Sequence, residues 1–414
     1  MRRTLRRTAA PVGRYLLAAA VIALALVCAQ AAAAKQTSEF SNAPATPDNL
    51  SGSQWALAQI NADQAHDITG GSSVVRVALI DSGIDPSHPE FADRIDRADS
   101  VNCVSGTPVT DSSGVLWTDD VAHGTQVAGV VAAGDNGFGI VGVAPNVQLV
   151  IVKIVGRGQP ITPVAVACAF NWVADHNIDV ANASFAVDKG ATGGADLLDY
   201  FCPTDPADQA AISLVSGAVN NARKSGATIV ASAGNNGVDM ANPPMGDGCI
   251  RMPVGLPGVI GVSGDGRSGD LTHSTPPGAS NFGLGVVDLV APGGDPAQGG
   301  VPGGLILTTF PSYIPVPPTS PNIVDGPSGA TYRYTAGTSF ASAHVTGVAA
   351  LIVSRFGDLK SPKNGKLPPS WVRETLEKTA ESKPCPDDLR CVGDADYNGF
   401  FGYGEVDALA ALTR

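Results

Sequence analysis

The 414-residue chain is 44% hydrophobic and 15% charged, which suits a globular protein with a sizeable core and excludes a disordered one. Its net charge of −12 excludes nucleic acid as the main partner, because phosphate binding needs clustered Lys and Arg.

The chain opens on Arg2, Arg3, Arg6, Arg7 and Arg14 around the start of an apolar run over 15–27. Ala29-Gln30-Ala31 and Ala32-Ala33-Ala34 follow as small-residue cleavage sites. This pattern reads as a signal peptide over 1–34. The apolar run is shorter than the ~20 residues a membrane span prefers. A secreted monomer with no membrane partner after cleavage is therefore expected. Residues 35–52 are polar and proline-containing, as a linker is, and order is expected from near Trp55, with a single domain over 53–414.

Within that domain, apolar runs predict strands at 74–80 (ending at Asp81), 147–155, 178–183, 228–232, 259–262 and 286–290. Helical patterns fall at 126–133, 164–176, 207–225, 339–356 and 371–379. Buried strands alternating with helices argue for an α/β fold with a mostly parallel sheet covered on both faces. Residues 310–327 are proline-rich and read as a loop.

Cys28 lies in the leader, and six cysteines remain, an even number that in an exported chain suggests three disulfides. Cys385 and Cys391 close a short loop and are the best local pair. Cys103–Cys168 and Cys202–Cys249 are the expected pairs for the rest. A zinc site is the rival reading, but there is no CxxC and no histidine near these cysteines.

Reactive groups in such a fold collect at the carboxyl ends of strands and the N-termini of helices. Asp81 ends a strand in VALIDSGIDPSHP. His123 stands at a helix start in DDVAHGTQVAG, Asn235 follows a strand in IVASAGNNG, and Ser339 opens the helix of TAGTSFASAHVTG. These types suit acyl transfer: a serine nucleophile, an imidazole base, a carboxylate that orients the imidazole, and an amide N–H for the oxyanion.

DSGID, HGTQVAG, AGNNG and GTSFASAHVTG, with VGVAPNVQL, APGG and FGYGEVDALAAL, resemble in order and separation the signature blocks of the subtilisin-like serine proteases, the subtilases. The resemblance covers Trp55 to the C-terminus. It implies a three-layer α/β sandwich and a serine endopeptidase acting on protein or peptide substrates. Asp81, His123 and Ser339 would be its triad, and Asn235 its side-chain oxyanion donor. A non-catalytic exported binding protein on the same scaffold is the alternative from another class.

The resemblance also implies a substrate-binding segment at Ser184, Phe185 and Ala186, where Phe185-Ala186-Val187 replaces the usual Leu-Gly-Gly and should narrow the P1 pocket. An insertion over 188–207 follows and would overhang the cleft. Arg251 falls near the pocket floor, which implies acidic or polar P1 residues; the other reading turns it to solvent beside Cys249. Calcium would be a structural cofactor, held by the Asn136 side chain, the carbonyls of Gly134, Phe138 and Ile140, and Glu90 in place of an aspartate. Only a short segment separates the leader from Trp55, so the large prodomain common in the family has no room, and signal peptidase is expected to set the mature N-terminus.

Three features read as decoys. GDGRSG over 264–269 follows a strand but precedes Pro276-Pro277 and so lacks the helix a dinucleotide site needs. DADYNGFFGYGE over 394–405 fits the EF-hand spacing without an entering helix. His344 lies about 140° around the helix from Ser339 and reads as a hydrogen-bonded core histidine. His88 is placed near the calcium loop, while His66, His176 and His273 read as surface or cap residues. Ala343 stands where the family has proline.

Overall fold

The structure is a computed structural model that describes residues 49–190, 199–246, 248–272, 279–316, 320–361 and 366–414. The signal segment, residues 35–48 of the expected linker and His273 lie outside the described residues.

An eight-stranded sheet forms the centre. Its strands are β1 (Arg76–Asp81), β2 (Val101–Asn102), β3 (Val109–Thr110), β4 (Gln148–Lys153), β5 (Val180–Ala183), β6 (Thr228–Ser232), β7 (Ile260–Asp265) and β8 (Leu289–Pro292). Their spatial order is β3-β2-β4-β1-β5-β6-β7-β8. All neighbours are parallel except the β2–β3 edge pair. The sheet grows outward from β1 in both directions, so the topological switch and its crevice fall at the carboxyl end of β1, where Asp81 sits.

Strand residues alternate between two cores. Val77, Leu79, Leu149 and Ile151 pack on one face, with α1 (His123–Ala132) and α4 (Thr338–Phe356). Ala78, Ile80, Val150 and Val152 pack on the other, with α2 (Pro163–Asp175) and α3 (Pro206–Ser225). This is the three-layer arrangement. Helix α3 starts where Asp205 accepts hydrogen bonds from the Ala207 and Asp208 amides, at 2.8 and 3.1 Å, and ends at Gly226, in the left-handed region at φ 110°. Helix α4 is buried from Thr338 to Ser354. Among the described residues it alone is long and apolar enough to cross a membrane, and it is the core helix of the domain.

Several boundaries differ from those expected. Helix α1 begins at His123, three residues before its apolar pattern, because Asp119 caps the polar turn ahead of it. Strand β8 runs over Leu289–Pro292, shifted toward the APGG turn. The proline-rich stretch is not all loop: it holds β10 (Ile323–Asp325), which with β9 (Ile306–Phe310) before it and β11 (Thr331–Thr335) after it forms an antiparallel sheet in the order β10-β11-β9. The expected linker ends early, since the Leu50 amide donates to the Gly139 carbonyl at 2.8 Å and Ser51–Ser53 forms a helical turn. Helices α5 (Pro369–Thr379) and α6 (Ala408–Thr413) close the chain.

All three disulfides pair as expected: Cys103–Cys168, Cys202–Cys249 and Cys385–Cys391.

Candidate active site

Four segments converge at the carboxyl end of the sheet. Asp81, 4% exposed, leaves β1 and accepts from the Ser82 amide at 2.7 Å. His123 opens α1 and meets Asp81 through Nδ1, 2.8 Å from Oδ1 and 3.0 Å from Oδ2. This contact fixes the tautomer: Nδ1 carries the proton, and Nε2 faces away with its lone pair free to accept one.

The β1 exit and the α1 start approach backbone to backbone. A Cβ on Gly124 would lie 2.1 Å from the Gly83 carbonyl oxygen, so only glycine lets this helix reach Asp81. Asp119 holds the approach. Its Oδ1 accepts from the amides of Val121 and Ala122 and from Ser82 Oγ, and its Oδ2 from the Thr125 amide and hydroxyl. Ala122 is thereby kept in the left-handed region at φ 81°, a strained conformation for a residue with a side chain. Burial opposes charge on His123, but the Asp81 carboxylate and the more distant Asp119 outweigh it and hold its pKa above the ordinary imidazole value.

Ser339 sits in the first turn of α4, after Gly337 at φ 147°. Its hydroxyl is turned to the Ser184 carbonyl, 3.3 Å away, rather than to His123. The His123 ring lies beside Phe340, with centroids 6.3 Å apart. Asn235 is oriented by the same helix start: its Oδ1 accepts from the Thr338 amide at 2.8 Å and the Thr338 hydroxyl at 3.1 Å. With its oxygen engaged, the amide presents its Nδ2 hydrogens outward. The Ser339 amide is a second donor of the kind that helix N-termini offer to anions.

The segment after β5 lies along this group. Ser184 Oγ donates to the Ser339 carbonyl at 2.9 Å, and the Val187 amide donates to the Met252 carbonyl at 2.9 Å. Phe185 turns into the core shared with α2 and α3, while Ala186 is half-buried. Phe185, which stands where the family has leucine, thus lies in the core, and of the two residues that stand where the family has glycine, Ala186 is half-buried and Val187 is buried. Arg251 does not turn to solvent: it is 2% exposed and bonded to Asn236, next to Asn235.

His344 behaves as the spacing implies. It is buried, its Nδ1 meets the Phe340 carbonyl at 2.8 Å, and burial pushes its pKa down to about 4. His88 is buried beside the 134–140 loop and close to Tyr332, and His176 stacks on Trp172 at the end of α2.

The expected calcium ligands are arranged differently from a cation cage. Glu90 Oε1 accepts from the Ile140 amide at 2.9 Å and the Tyr332 hydroxyl at 2.7 Å, and Oε2 from Asn136 Nδ2 at 2.9 Å. Asn136 turns its nitrogen to Glu90, and its oxygen accepts from the Phe138 amide. The Arg94 guanidinium stands against Gly134, where a Cβ would lie 3.0 Å from Nε. Three donors already take the Glu90 carboxylate, and the Arg94 guanidinium stands close enough to feel its charge, an arrangement that differs from the oxygen-only shell calcium takes. Among the described residues no three His, Cys, Asp or Glu side chains converge on a metal position. The EF-hand spacing is also used otherwise: Glu405 pairs with Lys383 at 2.6 Å, and Asn398 Oδ1 caps the amides of Phe400 and Phe401.

Sequence reasoning did not single out Asp119, Asn236 or Tyr200. Asp119 had a readable signal, an aspartate ahead of a helix start. Tyr200 had only its position two residues before Cys202.

The sheet order, the three layers and the serine-bearing central helix define a subtilisin-like α/β protein. The chain belongs to the subtilase family, whose profile matches residues 72–404. It is 28% identical to fervidolysin of Fervidobacterium pennivorans over 380 residues, 88% of this chain and 44% of that protein. It is 28% identical to subtilisin E of Bacillus subtilis over 333 residues, 79% of this chain and 65% of that protein. The chain thus spans less than two thirds of the length of these curated relatives. The solved structure of a lanthipeptide protease matches with a TM-score of 0.67 at 25% identity, covering 87% of this chain and 93% of that one.

Proposed function

We propose that the chain is a secreted serine endopeptidase that cleaves peptide bonds through an acyl-enzyme. The observation that carries this is the Asp81–His123 pair, which presents a free imidazole Nε2 to the crevice where α4 begins. The Ser339 hydroxyl rotates from the Ser184 carbonyl to His123, gives up its proton to Nε2, and its oxygen bonds to the scissile carbonyl carbon. The carbonyl oxygen takes the negative charge and is met by Asn235 Nδ2 and the Ser339 amide. The tetrahedral adduct collapses as His123 returns the proton to the departing amine. Water, deprotonated by His123, then releases the acyl group and restores Ser339. Asp81 stays ionised and stabilises the imidazolium. The exported character rests on the signal-like residues 1–34 and on the disulfides, which persist in oxidising compartments.

A fluorophosphonate probe tests the reading. Stoichiometric labelling of Ser339, mapped by mass spectrometry and abolished in His123→Ala, is expected. A folded protein that is not labelled would instead be a non-catalytic binding protein on this scaffold.

A further inference from the structure

Next to Asn235 lie two buried side chains, Arg251 and Tyr200, each with a polar atom that meets no acceptor. Arg251 donates through one guanidinium nitrogen to Asn236 Oδ1 at 3.1 Å, while its other terminal nitrogen makes no hydrogen bond. The Tyr200 hydroxyl is also buried, and among the described residues the only group that interacts with it closely enough to favour its ionised form is the same Arg251 guanidinium, a donor rather than an acceptor. The two side chains are neighbours, with the guanidinium carbon 5.5 Å from the centre of the Tyr200 ring. Both are almost wholly inaccessible, at 2% and 0% exposed.

Their position relative to the reacting groups is fixed on two sides. A Cβ on Gly234 would lie 3.9 Å from the guanidinium carbon, and Gly234 and Asn236 flank Asn235, the oxyanion donor. Met252, which follows Arg251, accepts from Val187 at the end of the segment that runs from Ser184. Arg251 therefore lies between the segment that carries Asn235 and the one that runs on from Ser184.

Among the described residues no carboxylate pairs with Arg251. Asp239, an acid whose field reaches Tyr200, is engaged by the Ala241 amide at 2.9 Å and by Asn242 Nδ2 at 2.7 Å. Burial is the main influence on the Tyr200 phenol and raises its pKa against the pull of Arg251, so it stays protonated and a donor. A buried cation without a counter-ion is unfavourable, as is a buried hydroxyl without an acceptor. Two such donors side by side, one charged, lack the same thing: an anionic acceptor with two oxygens.

We propose that this pocket selects an acidic side chain at P1, whose carboxylate is received by Arg251 and Tyr200. The assignment rests on the peptidase reading above and names the substrate class of that same site. A neutral isostere such as glutamine satisfies fewer of these donors and leaves the charge unpaired. An aromatic or aliphatic side chain would bury against the cation and pair with neither group.

The test uses internally quenched peptides that differ only at P1, carrying Glu, Gln, Leu or Phe, together with phosphonate labelling of the same preparations. For the unmodified protein, kcat/KM for Glu over Gln is expected to be roughly ten- to hundredfold, the range of a charge-assisted hydrogen bond. Arg251→Met should bring that ratio near one, with Ser339 labelling reporting that the variant is folded. Arg251→Lys should restore part of it, and Tyr200→Phe should lower it less. A labelled enzyme that prefers Leu or Phe, or a Glu/Gln ratio unchanged in Arg251→Met, overturns the pocket assignment alone. A protein neither labelled at Ser339 nor active on any peptide overturns the peptidase reading and this assignment with it.

Discussion

Thr338 occupies the Asn235 oxygen, which leaves the Nδ2 hydrogens for the donor role proposed above. An aspartate there would bring a second oxygen toward a developing oxyanion, and alanine would bring nothing. Asn235→Ala is expected to lower kcat by about 10²–10³ with KM little changed, a magnitude measured in subtilisin, of the same family. Steady-state kinetics on one peptide checks it. His123 gives the second prediction at this scale. Its pKa is held above the imidazole value of 6.5, so the proton is retained to higher pH and the base becomes available later. The acid limb of kcat/KM should have its midpoint above 6.5. In Asp81→Asn the midpoint should move down, while kcat falls by about 10⁴ because the tautomer is no longer fixed. A pH–rate profile with an unmoved midpoint would contradict this. These residues were legible in the sequence because each ends or starts an element with a clear period. Arg251 was legible as a position but not as an orientation, since its burial depends on Tyr200 and Asn236, which arrive from elsewhere in the chain.

The 134–141 loop shows what an element adds. Its glycine-rich sequence is compatible with an ion-binding loop, yet it is closed by protein groups on both sides. Glu90 takes Ile140 and Asn136 on one side. On the other, Gln54 accepts from the Val141 amide at 2.9 Å and donates to its carbonyl at 2.7 Å, and Leu50 donates to Gly139. Neither tie has a local period. Each depends on a long-range side chain, so the sequence favoured the family's calcium and a linker reaching to residue 52. A chelator should leave the midpoint of thermal unfolding unchanged. Glu90→Gln should lower stability by about 2 kcal/mol, since one face of the amide would then set a donor against donors. Differential scanning calorimetry with and without chelator decides it; a chelator-dependent fall in the unmodified protein would return calcium to this loop. The sheet β10-β11-β9 was missed for a related reason. Its strands are short, and prolines outside them mask the alternation.

Across the whole molecule, the disulfides do two different jobs with similar loop lengths. Cys202 and Cys249 are separated by 47 residues, and Cys103 and Cys168 by 65. In the chain-entropy account the two differ by only ~0.3 kcal/mol, and each contributes about 2–4 kcal/mol. Their surroundings differ more. Cys103–Cys168 fastens the edge of the sheet just after β2 to helix α2, and neither cysteine is paired in register with Tyr200 or Arg251. Cys202–Cys249 flanks an antiparallel bridge in which Phe201 and Ile250 exchange both backbone hydrogen bonds at 2.9 Å. One step inward along that register stand Tyr200 and Arg251. The disulfide, the bridge and the cation over the ring are thus three successive rungs of one ladder, and it carries the two groups of the proposed pocket. Pairing cysteines from sequence brought residues 202 and 249 together but left the register, and hence the partner of Arg251, unread. Replacing Cys103 and Cys168 by alanine should lower stability by about 2–4 kcal/mol and leave the P1 Glu/Gln ratio intact. Replacing Cys202 and Cys249 should lower stability by about the same amount and also erode that ratio, because Tyr200 loses its anchor. Chemical denaturation alongside kcat/KM on the two peptides separates the effects, and an equal loss of selectivity in both variants would show that the ladder does not position those two groups.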